Sequence, residues 1–480
     1  MKIRKIWLTP PFAIARVGKS STPCQAFTWG ENDVTPRGTG KTTIFPTETL
    51  KMNFEGEIKS EFPNEIIFKD SEGYRPVCPF FELNCEWENN KGEIASGILT
   101  HDILKKLGHD SKDIVWSIKL GNLKPFHYTQ VVEDKIYAEI KINGDNTEKI
   151  EIIGNAINTP TKERLFVEGK GLPLGYVQLS KPTEKHPEFR LRIYAPKGEI
   201  YAPTDLPARM NISVGDSKQI YELPEKNLIV NPNSSWAQYK LENLPRTNPS
   251  GLVATYVYKQ DENEIEQCVG LLDDVGDGII TVSLSNHIAH ARFTIAPPDF
   301  SPDRRPLVSL ADGLKDRIDR EDVTNLEYLD DPSTTDEIRD LFERILETME
   351  LMNLDFQNDR GIRENRAVAR GMGLPPGEGS KKLWNTESSI SNQYLPLTEI
   401  GRQRHKRFVA LEVLEDKLRE NPDLLEKWIR KPMTGDKFYD TKMPPLMRGS
   451  DRYPMHITQR QYNLLKAWVA YLRKDINTGS

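Results

Sequence analysis

Three aspartates lie close together in the segment LLDDVGDG: Asp273, Asp274 and Asp277. Carboxylate oxygens are the ligands that calcium prefers, so this cluster could bind a hard cation or form the rim of an active site. The full twelve-residue calcium loop is absent, and an Asp-Gly pair is typical of a tight turn. The flanking runs CVGLLDD and IITVSLS predict two strands joined as a hairpin, with the aspartates at its tip. Turn chemistry is the favoured interpretation, and the cation site and the active-site rim stay open.

A proline-rich segment, IAPPDFSPDRRPLVSL, follows the predicted hairpin and carries Asp299, Arg304 and Arg305. Its prolines predict an extended exit from the last strand. Two adjacent arginines could bind the carboxylate of a substrate in a bidentate manner. They could also connect two layers of the fold through salt bridges, and this structural role is the favoured one.

The string GTGKTT at 38–43 resembles a phosphate-binding loop. The full motif requires a glycine where this chain has Thr35, and a helix after the final threonine. Pro46 in the following TIFPTE opposes that helix. We therefore predict a polar surface loop and no nucleotide site.

The histidines and cysteines form no recognisable metal site by their spacing. His287 and His290 follow a predicted strand, and a separation of three places them on opposite strand faces. The four cysteines, which we expect to be reduced thiols, are too few for a disulfide framework and form no CxxC pair. Cys78 and Cys85 fall in the predicted strand VCPFFELNC, again on opposite faces. The four are Cys24, Cys78, Cys85 and Cys268.

Short runs rich in Val, Ile, Tyr and Phe predict strands up to about residue 300. They contain no strand–helix–strand alternation, so a Rossmann-type sheet is not expected. The clearest runs are FAIARVG (12–18), NEIIFKD (64–70), KIYAEIKIN (135–143), EKIEIIG (148–154), FRLRIYA (189–195) and LVATYVY (252–258).

From about residue 305 the apolar residues recur at helical spacing. Three helices are predicted, at 332–356, 397–421 and 457–474, with a loop at 371–382. The first has Ile338, Leu341, Phe342, Ile345, Leu346 and Met349 on one stripe, and the last has Tyr462, Leu465, Trp468, Val469 and Leu472 facing inward. We expect an α+β fold with a β-sheet or sandwich at 1–300 and a mainly helical region at 301–480.

Composition and charge exclude several classes of protein. The chain has 480 residues, of which 37% are hydrophobic and 28% charged, with a formal net charge of −6. This composition supports a packed core and shows no sign of disorder. A mildly acidic chain without basic blocks gives no footprint for nucleic acid. No run approaches the ~20 apolar residues of a membrane span, and no signal-peptide core follows the basic start. We expect a soluble, cytoplasmic protein.

Several segments, in order along the chain, resemble the lysine ε-oxidase/glycine oxidase family of cysteine tryptophylquinone proteins. They are IRKIWLTPPFAIARVGKS with FTWGEND, IIFKDSEGYRPVCPFFEL, GLLDDVGDGIITVSL with FTIAPPDFSPDRRPLVSLAD, and KMPPLMRGSDRYPMHITQRQYNLLKAWVAYLRK. The resemblance covers about a quarter of the chain. Charged residues of these segments are the candidate pocket or binding residues: Arg16, Asp273, Asp274, Asp277, Asp299, Arg304, Arg305 and Arg448.

The resemblance implies an oxidase of primary amines that uses a quinone made from the protein's own Cys and Trp side chains. In the family both residues lie in the C-terminal half, whereas no cysteine follows Cys268 here. The cysteine tryptophylquinone is therefore not expected, and no catalytic residue or other cofactor is assigned.

Two hypotheses follow. The chain is an oxidoreductase-like enzyme acting on an amine or amino acid through a different cofactor, metal or side chain, or it is a non-catalytic relative that binds a small amine, a peptide or a protein partner. Ancestry alone does not decide between them.

Overall fold

A computed structural model describes residues 1–32, 42–157, 163–206, 223–238, 255–258, 266–299, 302, 304–348, 411–432, 442–444 and 455–473. The chain divides into two compact units. The first contains Met1–Phe27, Pro46–Asn248 and Leu252–Phe300. The second contains Thr28–Phe45, Pro249–Gly251 and Ser301–Ser480.

The described strands belong mainly to the first 300 residues. They are β1 (Lys2–Thr9), β2 (Phe12–Arg16), β3 (Phe27–Asn32), β4 (Thr42–Pro46), β5 (Thr49–Met52), β6 (Ile58–Glu61), β7 (Lys69–Asp70), β8 (Gly73–Tyr74), β9 (Phe80–Glu88), β10 (Ile94–Ile98), β11 (Ile114–Asn122), β12 (Ile136–Asn143), β13 (Ile150–Ala156), β14 (Leu172–Leu179), β15 (Arg190–Tyr194), β16 (Ile200–Pro203), β17 (Leu228–Val230), β18 (Thr255–Tyr258), β19 (Glu266–Leu272), β20 (Gly276–Leu284) and β21 (His287–Ala296).

The described helices of the first unit are short, and the longest ones lie in the second. They are α1 (His101–Lys106), α2 (Lys124–Thr129), α3 (Leu310–Ile318), α4 (Leu326–Asp330), α5 (Pro332–Glu347), α6 (Leu411–Glu420), α7 (Leu424–Trp428) and α8 (Gln459–Leu472). Strands followed by helices confirm the α+β class.

One large sheet of 11 strands organises the first unit. Its order is β1-β9-β15-β14-β13-β12-β11-β20-β21-β2, and β10 also pairs with β9. All neighbours are antiparallel except β2 and β21. Because only two residues separate β1 from β2 in the chain, the sheet must curve until its two edge strands come within roughly 10 Å of each other.

The core of the first unit packs against the inner face of this curved sheet. Trp116, Phe81 and Phe293 are among its largest fully buried side chains. A smaller sheet, in the order β17-β16-β19-β18, belongs to the same unit. A cavity lies where residues of these two sheets meet.

The sequence located most of these strands. The predicted runs 12–18, 135–143, 148–154, 189–195 and 252–258 contain or overlap β2, β12, β13, β15 and β18. In β13, buried Ile152 and Gly154 alternate with exposed Glu151 and Ile153. This alternation is the pattern of a strand with one face on the core.

Two strand predictions are wrong. In the run 64–70 only Lys69–Asp70 forms a strand. The predicted hairpin is not one either, because β19 pairs with β16 and β18, whereas β20 pairs with β11 and β21. The aspartate segment therefore crosses from the small sheet to the large one, since non-local partners outcompete the neighbouring strand.

The second unit has its own helical core. The predicted stripe of α5 is confirmed where it is described, since Ile338, Leu341, Phe342 and Ile345 are buried. All five residues predicted to face inward on α8 are also buried. Thr458 begins α8 with a capping box, in which its side chain accepts from the backbone N–H of Gln461. The predicted loop 371–382 and most of 397–421 lie outside the described residues.

Candidate functional site

A cavity of about 330 Å³ lies in the first unit, between the outer face of the large sheet and the small sheet. Its floor includes a row across three strands: Glu151 of β13 is opposite Tyr176 of β14, which is opposite Tyr194 of β15. Tyr201 of β16 and Asp273 line it from the small sheet. A cavity of this size is at the lower end of those that hold small ligands.

Asp273 is the most unusual residue of this cavity. It extends the pairing of β19 with β16, because its backbone N–H donates to the carbonyl oxygen of Glu199 at 3.2 Å. The residue is only 2% exposed, and its Oδ1 atom has no hydrogen-bond partner among the described residues. A buried polar atom without a partner costs about 1–3 kcal/mol, so native proteins rarely keep one without a reason.

Burial also changes the ionisation of Asp273. It raises the pKa of Asp273 to about 8; the negative charges of Glu199 and Asp274 act in the same direction, whereas hydrogen bonding to the backbone of Glu199 and of Asp273 itself acts against it. At neutral pH this carboxyl is therefore mostly protonated, so it can donate a proton as well as accept a hydrogen bond.

The side chain of Asp274 points to the opposite side from that of Asp273, away from the cavity, because successive side chains of an extended segment alternate. Its Oδ1 accepts from Nζ of Lys124, whose side chain is fully buried at the start of α2. The same ammonium donates to the carbonyl oxygen of Leu272 at 3.2 Å. This ion pair anchors the crossing segment to α2 and fixes the direction of Asp273.

Lys149 lies at the exposed mouth of the cavity, directly before β13. Its Nζ is 4.0 Å from the ring centroid of Tyr194 and 4.9 Å from that of Tyr176. In the part of the chain that the structure describes, no carboxylate lies within ion-pair distance of it. Partial burial of Lys149 lowers its pKa, and the positive charges of Arg192 and Lys197 act in the same direction, against the effect of Cys78. The two rings favour the charged form and hold the ammonium in place.

The hydroxyl groups of two tyrosines in the lining provide hydrogen-bond donors. Tyr176 donates from its hydroxyl to Oε1 of Glu151 at 2.9 Å. Burial is the main cause that raises the pKa of Tyr201 far above its ordinary value, and the charges of Asp273 and Glu199 add to it. Both phenols are thus neutral donors at physiological pH.

The three aspartates of the sequence cluster do not act together. Asp273 faces the cavity, Asp274 pairs with Lys124, and Asp277 is exposed on β20. They do not lie at the tip of a hairpin, so tight-turn chemistry does not explain them. The described residues contain no group of three or more His, Cys, Asp or Glu side chains that could hold a metal ion.

The predicted arginines and their acidic neighbours lie away from this cavity. Arg16 forms an ion pair with Asp299 at 3.5 Å and donates to the carbonyl oxygen of Pro297. Arg305 pairs with Asp340 of α5 at 2.8 Å and with Glu343 at 3.4 Å. All three residues belong to the second unit, so these ion pairs do not connect the two predicted layers.

Two candidates remain. Arg304 is half-buried at the start of the second unit. Arg448 lies outside the described residues.

The sequence assigned no site to the GTGKTT string, the histidines or the cysteines. Among their described residues, Cys78 lines the cavity. After Lys41 the chain forms β4 rather than the helix that a phosphate-binding loop needs. His290 is exposed on β21 and lies 3.1 Å from the hydroxyl of Thr281. Cys78 precedes β9 instead of belonging to it, is buried, and lines the cavity.

Sequence reasoning found Asp273 but missed Lys149, Tyr201 and Lys124. A single lysine in EKIEIIG or a single tyrosine in a strand carries no local signature. The burial of Lys124, an unusual state for this residue type, becomes visible only in the fold.

The tryptophylquinone that the family resemblance implies needs a cysteine beside a tryptophan. Among the described residues the nearest such pair in sequence is Cys85 and Trp87 on β9. Cys85 is fully buried and its thiol contacts the carbonyl oxygen of Glu86, whereas Trp87 is half-buried. The side chain of Cys268 lies outside the described residues.

No known family model matches this chain, and no curated protein matches its sequence. The family resemblance, the oxidoreductase activity and the cytoplasmic location therefore stay predictions. Among the helices that the structure describes, none is long and apolar enough to cross a membrane.

Proposed function

We propose that this chain binds a small amine-bearing ligand, an amino acid or the amino end of a short peptide, in the cavity between the two sheets. The observation that carries this proposal is the buried Oδ1 of Asp273, which lines the cavity and has no hydrogen-bond partner in the part of the chain that the structure describes. A donor group of a ligand would satisfy this atom and remove its desolvation cost.

The charges around the cavity favour a ligand with both an ammonium and a carboxylate. Glu151, Glu199 and Asp273 line it and offer acceptors for an ammonium group. Lys197 and Lys226 also line it and offer donors for a carboxylate. The rings of Tyr176 and Tyr194 already accept the ammonium of Lys149, and Lys149 is a third donor for a carboxylate.

Binding of an ammonium group should be coupled to the release of a proton. Asp273 is mostly protonated near pH 7, since its pKa is raised to about 8. A neighbouring positive charge stabilises the carboxylate form and lowers that pKa. The ligand therefore converts Asp273 from an acid to an anion, and a proton leaves the site.

Isothermal titration calorimetry at pH 7 tests this proposal with glycine, L-lysine and L-alanyl-glycine as probes. We expect the heat of binding to depend on the ionisation enthalpy of the buffer, with up to one proton released per ligand. Asp273→Asn should abolish the release and weaken binding about 10- to 100-fold, the value of a hydrogen bond to a charged group.

Asp277→Asn is the matched control, because Asp277 is an exposed aspartate four residues away in sequence. Acetate and propionate, which lack the amine, should bind weakly and release no proton. The proposal fails if none of the amine probes binds, or if Asp273→Asn binds them as the unaltered chain does.

A further inference from the structure

We propose that Lys149 forms an imine with a small carbonyl compound that carries a carboxylate. The class of compound is a 2-oxo acid, of which glyoxylate is the simplest. This inference goes beyond the proposed amine binding and does not depend on it, because it requires only the cavity and its side chains.

The position of Lys149 suits a nucleophilic amine. Its Nζ is held over the rings of Tyr176 and Tyr194 rather than by a carboxylate of the described residues. An ion pair would fix the amine in its charged, unreactive form, whereas a cation–π contact is weaker and is easily given up. Burial and the nearby Arg192 and Lys197 lower the pKa of Lys149, which increases the reactive neutral fraction.

The cavity also supplies an acid for the dehydration step. Asp273 lines the same cavity and keeps its proton at neutral pH. Formation of an imine needs a proton donor at the hydroxyl that leaves, and a carboxylic acid with a raised pKa is suited to this task.

The reaction balances without an oxidant or a reductant. The lone pair of Lys149 Nζ attacks the carbonyl carbon, and the carbonyl oxygen takes the proton that the amine loses. Asp273 then protonates the resulting hydroxyl, which leaves as water while the C=N bond forms. The products are a protonated imine at Lys149, the carboxylate of Asp273 and water, so atoms and charges balance.

The lysines that line the cavity are the reason to expect a carbonyl compound with a carboxylate group. Lys197 and Lys226 place two further positive charges around a bound carbonyl compound. A carboxylate of the carbonyl compound would contact these lysines. A neutral aldehyde lacks this contact and should react more slowly.

Reductive trapping on the full chain tests the inference. The protein is incubated with glyoxylate and cyanoborohydride, which reduces an imine to a stable amine, and the product is analysed by intact mass and peptide mapping. We expect a single carboxymethyl adduct at Lys149, formed at least 10-fold faster than at other lysines. Propanal in place of glyoxylate should lose this selectivity.

Two variants separate the roles of the side chains. Lys149→Arg keeps the charge over the tyrosine rings and should abolish the fast adduct, and Asp273→Asn should slow it about 10-fold or more by removing the acid. Lys119→Arg is the matched control, because Lys119 is an exposed lysine on β11 that pairs with Glu139. It should leave the adduct at Lys149 unchanged.

The site of labelling on the unaltered chain decides the question even if a variant fails to fold. Adducts spread over many lysines according to their exposure would overturn the inference. So would a fast adduct that persists in a folded Lys149→Arg protein. Because the probe contains no amine, these outcomes are independent of the calorimetric test of amine binding.

Discussion

The buried carboxyl of Asp273 predicts an unusual pH dependence of stability. Its pKa is about 8 in the folded chain against an ordinary value of 3.8. Well below pH 3.8 the group is protonated in both the folded and the unfolded chain and does not affect stability. Between these two pKa values only the unfolded chain ionises, so the free energy of unfolding falls as the pH rises.

The magnitude follows from the difference between the two pKa values. Each pH unit in this window costs about 1.4 kcal/mol, so this one group removes at most about 4 kcal/mol between pH 5 and pH 8. That loss is a large part of the 5–15 kcal/mol of stability typical of a domain, so it should be readily measurable. In the Asp273→Asn variant the side chain at this position cannot ionise. Between pH 5 and pH 8 the free energy of unfolding of this variant, relative to that of the unaltered chain, should therefore rise by up to about 4 kcal/mol.

Urea denaturation at pH 5, 6, 7 and 8 measures this effect, because urea leaves electrostatic interactions unscreened. Trp116 and Trp236, both fully buried in the first unit, report its unfolding by fluorescence. A second transition, if present, is fitted separately, since the two units need not unfold together.

Asp277→Asn provides the control, because it removes a carboxylate at an exposed position of the same segment. Its stability should follow that of the unaltered chain within about 0.5 kcal/mol at every pH. Parallel profiles for Asp273→Asn and the unaltered chain would refute the reasoning. They would mean that Asp273 is ionised in the folded chain and has a partner or solvent that the structure does not show.

Two further predictions concern the scaffold of the cavity. Lys124→Met leaves Asp274 buried without its partner and should destabilise the first unit by about 3–5 kcal/mol in urea denaturation. The double variant, Lys124→Met with Asp274→Leu, should lose clearly less stability. Equal losses would show that the ion pair itself stabilises the fold. Gly175 has φ +113°, and a Cβ atom there would lie 2.2 Å from the carbonyl oxygen of Tyr194, so Gly175→Ala should cost about 2 kcal/mol or more. Gly97→Ala, on the edge strand β10 with open space around it, is the control and should change the midpoint little; similar midpoints for both variants would contradict the predicted strain at Gly175.

The sequence by itself determined the α+β class and the positions of most strands. Runs such as KIYAEIKIN and EKIEIIG carry their strand signal locally, because β-branched and aromatic residues alternate with polar ones. The inward face of α8 was equally readable from its helical spacing. The strand pattern and the helical spacing both depend on residues that are close together in the sequence, within one strand or one or two helical turns.

The partners of strands were not readable in this way. CVGLLDD and IITVSLS are both strands, as their composition indicates, yet each pairs with distant segments instead of with the other. A glycine-containing turn permits a hairpin but does not require one. Strand pairing depends on which distant surfaces are buried together, and that choice belongs to the whole sheet.

The candidate site shows the same division. The sequence singled out Asp273, Asp274 and Asp277 by type and spacing but assigned all three to one turn. Only the tertiary structure separates them into a buried acid, a partner of Lys124 and a surface residue. It also brings Lys149, more than 120 positions away, to the same cavity as Asp273. The identity of a side chain is fixed by the sequence, but its charge and reactivity depend on burial and on neighbours that are distant along the chain.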